Sequence, residues 1–126
     1  MIMHKPIFMT ILFSVFFGLT SRAQQVAIAG KWKTPDKDII EFYPEGPVFM
    51  AKQINTETEK DKKDNNKIIA KDLKPVNTKI FEGIVIDPKD NKTYHGRFTI
   101  NEAVTELNLK VKWGFLSFNE TWTRVN

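Results

Sequence analysis

Between Glu82 and Ile100 the chain reads EGIVIDPKDNKTYHGRFTI, two β-branched and aromatic arms on either side of the turn formers Asp87-Pro88-Lys89-Asp90-Asn91-Lys92. That pattern is a β-hairpin. Pro88 presets φ for the second position of a type I turn, the Asp87 side chain caps the turn, and Asn91 tolerates the left-handed conformation that closes it. On the returning arm Tyr94, Gly96, Phe98 and Ile100 share one face while His95, Arg97 and Thr99 take the other, the period of a half-buried strand. The other strands are expected to add to this hairpin.

Trp32, in Gly30-Lys31-Trp32-Lys33, opens the domain and is expected to be buried. Asp38 to Tyr43 places Ile40 and Phe42 on one face, and Pro44-Glu45-Gly46-Pro47 breaks the strand. Val48 to Ile54 sets Val48, Met50 and Ile54 against Phe49, Ala51 and Gln53, with the inward face left open. Ile68 to Leu73, Lys79 to Asp87, Thr93 to Ile100, Glu106 to Trp113 and Thr121 to Val125 read as further strands; Leu107, Leu109, Val111 and Trp113 alternate with Asn108, Lys110 and Lys112. About eight strands with short connections predict an all-β, antiparallel sheet closed into an up-and-down barrel. Asn55 to Lys67 is polar with charges of mixed sign, and reads as a solvated loop or a mobile flap over a cavity mouth. Its interspersed acids cancel the potential that nucleic-acid binding needs.

Ahead of the barrel, His4-Lys5, the apolar run Ile7 to Leu19, and Ser21 and Ala23 at the −3 and −1 positions predict a signal peptide over residues 1–23, cleaved before Gln24. The apolar run is too short to favour a transmembrane anchor. Residues 24–126 then form a single domain of about a hundred residues, exported to the periplasm or secreted, with no stable membrane anchor. Loss of Lys5 and Arg22 takes the net charge from +4 to +2, so the basicity mostly belongs to the leader. With no cysteine, neither a disulfide framework nor a lipid-modified N-terminal cysteine is available.

Gly30-Lys31-Trp32, Asp87-Pro88-Lys89-Asp90-Asn91-Lys92-Thr93-Tyr94 and Thr121-Trp122-Thr123-Arg124-Val125 together resemble a family of small exported bacterial proteins of unknown function. Its members read G-x-W, D-P-x-x-G-K-T-Y and a terminal T-W-T-R-V at similar spacings. The resemblance implies a lipocalin-like, eight-stranded barrel and no established activity. Asn91 stands where the family usually has glycine, a change that keeps the left-handed conformation accessible. The cysteines of many relatives are absent. Lys112 to Phe118 is shorter than the corresponding segment of relatives, which implies a remodelled rim. The resemblance also implies that Arg124 lies over Trp32 and closes one end of the barrel, a cation–π contact that needs no ligand to justify it.

For chemistry the residues offer little. His95 is the one histidine left after cleavage and faces outward, so a metal site is not expected; Asp87 and Asp90 are explained by the turn. No nucleophile, base and orienting group stand out, and no cofactor or enzymatic activity is expected. Glu82 points inward if Ile80, Ile84 and Ile86 do, and outward if Phe81 and Val85 point in. The leading expectation is a binding barrel for a small apolar or amphipathic ligand such as a fatty acid or lipid fragment, lined by Phe42, Phe98, Ile100, Leu109 and Val111, with Tyr94 as a polar handle. A barrel filled with side chains is the alternative. A second expectation is an envelope protein whose outer face, with Lys110, Lys112, Arg97 and His95, docks a protein or an acidic cell-wall polymer.

Overall fold

Eight antiparallel strands follow one another round a closed barrel, each hydrogen-bonded to its neighbours in sequence and the last to the first. The computed structural model describes residues 27–125, so the expected signal peptide lies outside the described residues. The strands are β1 (Gly30–Lys33), β2 (Asp38–Glu45), β3 (Val48–Thr56), β4 (Ile68–Pro75), β5 (Ile80–Ile86), β6 (Thr93–Ile100), β7 (Glu106–Trp113) and β8 (Leu116–Val125). The all-β, up-and-down architecture read from the sequence is the one observed.

The β5–β6 hairpin has the expected turn. Asn91 takes φ +62°, its N–H donates to the Asp87 carbonyl at 2.8 Å, and Asp87 Oδ1 accepts from the Lys89 N–H at 2.9 Å. The register sets Glu82 opposite Arg97 and Gly83 opposite Gly96. The two open faces are settled by packing. Phe49, Ala51 and Gln53 point inward on β3, and Phe81 points inward on β5. Glu82 therefore faces out, where Arg97 Nε and Nη2 each reach its Oε2 at 2.7 Å.

Two sequence expectations change. β8 starts at Leu116 rather than Thr121, extending the β7–β8 hairpin to a tight turn at Gly114-Phe115 with Trp113 opposite Leu116; Glu120 on the inner face broke the alternation that would have announced it. Asn55 to Lys67 is not simply a solvated loop. It contains a 3-10 helix, Glu59–Asp64, in which Asp61 and Asp64 are buried. The buried Gln53 holds it to the sheet, donating through Nε2 to the Asp61 carbonyl and to Asn65 Oδ1, both at 3.0 Å. Mixed charge indicated solvation only because the partner of these acids, Lys89, lies more than twenty residues further on.

The barrel has one sealed end. There Ala27 to Ala29 run beneath Arg124, whose Nη1 and Nη2 donate to the carbonyls of Ala27 (3.3 Å) and Ala29 (2.8 Å). The guanidinium carbon sits 4.6 Å from the centre of the Trp32 ring, as the family resemblance implied. Gly30 is needed at this point, because it takes φ +116° and a Cβ there would stand 3.0 Å from Arg124 Nη2. Above this seal the interior is filled by aromatics: Phe42 meets Phe98 edge-on at 5.3 Å, both lie within 6.1 Å of the Trp122 ring, and Phe49 meets Phe81 at 5.9 Å.

Candidate functional site

The opposite end is hollow. Its rim is built by the β1–β2 turn, the 3-10 helix, the β5–β6 turn and the β7–β8 hairpin, and together they surround a cavity of about 560 Å³. Trp122 lies at its base beside the filled half. The apolar wall comes from inward positions of five strands: Ile40, Ile69, Val85, Tyr94, Leu109 and Val111.

Of the expected ligand-binding residues, Tyr94, Leu109 and Val111 line this cavity. Phe42, Phe98 and Ile100 do not; they are buried in the filled half, and that expectation is corrected. The cause is geometric. Period-2 alternation reports which face of a strand a residue takes, but not how far along the barrel axis it sits. Both expected interiors are therefore present in one barrel, packed below and hollow above.

One side of the cavity is acidic. On β2 the inward stripe Asp38, Ile40, Phe42 carries a carboxylate at the mouth, and on β8 Glu120 sits between Phe118 and Trp122 in the same way. Burial pushes the Asp38 carboxyl up; a 2.6 Å hydrogen bond from Thr56 Oγ1 opposes this, and Asp61 and Asp36 add to the rise. Glu120 is likewise pushed up by burial, against a 2.6 Å hydrogen bond from Trp122 Nε1, with Asp36 and Asp38 acting in the same upward sense. Among the described residues neither carboxylate, nor that of Asp36, has an ion-pair partner. Sequence reading missed Glu120 because it started the final strand one residue too late to assign its face.

A latch crosses the mouth. Lys89, at the tip of the β5–β6 turn, reaches Asp61 Oδ1 at 2.6 Å and Asp64 Oδ2 at 2.5 Å. Lys67 adds a hydrogen bond to the Pro88 carbonyl at 3.1 Å, and stands 3.0 Å from Asp64 Oδ1 as an ion pair without hydrogen-bond geometry. The Lys89 hydrogen bonds hold both carboxyls below the usual range, and they push the ammonium up in turn. Opposite the latch, Trp113 and Phe118 form the other lip, with Trp113 6.0 Å from the Tyr94 ring. Among the described residues no group of three or more His, Cys, Asp or Glu side chains is arranged as metal ligands would be.

On the outside, the register pairs His95 with Lys112 and Arg97 with Lys110, so the expected basic stripe is continuous across β6 and β7. Arg97 is already paired with Glu82; the two lysines have no acidic partner among the described residues.

No curated protein matches the chain. Among solved structures it is similar to protein HP1028 of Helicobacter pylori, described as belonging to the lipocalin family, with a TM-score of 0.66 and 21% identity over 79% of this chain and 83% of that one. That likeness shows the fold, a lipocalin-like barrel. The model of a family described as "Uncharacterized protein conserved in bacteria", DUF2147, matches residues 30–124, from the glycine before Trp32 to the arginine that covers it, and the chain belongs to this family.

Proposed function

We propose that this protein is an exported, non-enzymatic barrel that holds one small amphipathic molecule in its hollow end. The observation that carries the reading is the cavity itself: about 560 Å³, open at one end of a barrel sealed at the other, and within the roughly 300–1,000 Å³ of small-molecule sites. A lipocalin-like fold is consistent with such a role, but as analogy only. The body of the ligand lies against Ile69, Val85, Leu109 and Val111, with its head toward Asp38 and Glu120. A fatty acid is a poor match for that wall. A free carboxylate would face three carboxylates, Asp36, Asp38 and Glu120, against Lys60 as the one lining cation outside an ion pair among the described residues, since Lys89 is committed to Asp61 and Asp64. An amine or hydroxyl head can donate to these oxygens and offset their burial.

Native mass spectrometry of protein purified from its own host, followed by organic extraction, tests the reading. A discrete extractable mass with an apolar chain is expected. A thermal-shift series with an alkyl amine, alcohol and carboxylate of matched chain length is expected to stabilise in that order. Bare protein combined with no shift from any of the three would refute a binding role. The mass of the purified chain also tests export, since cleavage before Gln24 removes residues 1–23.

A further inference from the structure

Four of the five large apolar side chains exposed among the described residues sit on one hairpin tip: Trp113 (45% exposed), Phe115 (98%), Leu116 (51%) and Phe118 (42%). Gly114 makes the turn with φ +62°, and nothing approaches within 4 Å of where its side chain would be, so the tip projects free of the barrel. Trp113 opposite Leu116, and Val111 opposite Phe118, continue the barrel's inner face past the mouth. Trp113 and Phe118 also line the cavity, which makes its apolar wall continuous with the tip. The outer face of the same hairpin is basic. Lys112 stands opposite Ser117 and Lys110 opposite Asn119, and no acid occurs between Glu106 and Glu120.

We propose that this tip docks reversibly on an anionic lipid bilayer, with Phe115 and Leu116 in the headgroup boundary, Trp113 at interfacial depth, and Lys110 and Lys112 against lipid phosphates. The chemistry of each part fits that surface. Tryptophan concentrates at membrane interfaces, and lysines beside an apolar face add attraction to anionic lipid. A protein partner fits less well: three aromatic side chains of roughly 150–250 Å² each and one leucine, all but Phe115 about half covered already, fall short of the roughly 800 Å² per partner of a standard interface. Docking in this way faces the cavity mouth toward the membrane. It stands independently of what the cavity holds.

Every strand pairing and the Ala27–Ala29 plug lie within residues 27–125, so a chain of residues 24–126 keeps the whole barrel and excludes the apolar leader from the assay. It is sedimented with vesicles of phosphatidylcholine alone and of phosphatidylcholine mixed with phosphatidylglycerol, while tryptophan emission is followed. Binding to the mixed vesicles with a blue shift is expected, weakening as salt is raised. Phe115→Ser, at a side chain that touches almost nothing, is expected to keep the wild-type melting temperature and lower the partition coefficient about tenfold or more. Lys112→Glu is expected to lower it about fivefold or more. Wild-type protein left in the supernatant, equal binding by Phe115→Ser, or equal binding to both vesicle types would overturn the proposal, as would concentration-dependent dimerisation through the tip that vesicles do not disturb.

Discussion

Arg124 and Trp32 are direct partners across the β1–β8 seam, and each reaches back to the same three-residue segment. The guanidinium lies 4.6 Å from the indole centre and donates to the carbonyls of Ala27 and Ala29, while Trp32 Nε1 donates to the Ile28 carbonyl between them at 3.0 Å. One cation–π contact thus fixes a seam, a plug and a buried aromatic together. Arg124→Ala is expected to cost about 2–4 kcal/mol, from the cation–π contact and the charged hydrogen bonds lost. Arg124→Lys is expected to recover less than half, because an ammonium cannot stack and bridge two carbonyls at once. Urea unfolding of the three proteins measures both; full recovery by lysine would show that charge alone suffices.

The Lys89 latch predicts an acid sensitivity. Asp61 and Asp64 are held below the ordinary carboxylate range in the fold, so their stabilisation is complete above that range and is lost as pH falls through the lowered values. Lys89→Ala removes the main cause of the depression. Its melting temperature is expected to lie below wild type at neutral pH, with the gap closing on acidification. A gap that persists unchanged at low pH would contradict the latch.

Asp38 and Glu120 have the opposite sign. Burial favours their protonated forms, so their contribution is greatest below the ordinary carboxylate range and is lost as pH rises through the raised values. Glu120→Gln keeps the shape and an acceptor for Trp122 Nε1 while removing the charge. It is expected to be as stable as wild type or more so at neutral pH, to lose any advantage in acid, and to bind an alkyl amine less tightly. A variant less stable than wild type at neutral pH would show that the charge is satisfied within the protein.

Gly83 and Gly96 face each other across β5 and β6 but are not equally replaceable. A methyl at Gly83 would stand 2.8 Å and 2.7 Å from the backbone oxygens of Lys71 and Asp72 in the β4 bulge, whereas one at Gly96 would press on the Val85 side chain beside the cavity. Gly83→Ala is expected to cost about 2–3 kcal/mol and Gly96→Ala under about 1.5, because a side chain bordering empty space yields and a strand backbone does not. Denaturant unfolding of the two variants gives the order directly.

Local rules carried most of the fold. Asn91 and Asp87 fixed the central turn, and alternation placed Tyr94, Gly96, Phe98 and Ile100 inside correctly. What alternation cannot encode is depth, which is why Phe98 and Val111 looked equivalent although one is packed and the other lines the cavity. Long-range polar pairing was equally hidden. Nothing near Asp61 or Asp64 in sequence announces Lys89, and Glu120 interrupts an apolar stripe for a reason that only the acidic cavity wall supplies.

The pairing of β1 with β8 also constrains the order in which the barrel can form. The bonds from Arg124 to Ala27 and Ala29 span 97 and 95 residues, so a chain synthesised from its N-terminus cannot close the barrel until β8 is available. Until then β1 offers an unpaired edge, the kind that invites mispairing with other chains. The β1 edge is therefore the one that stays open longest, and it is covered only when β8 arrives.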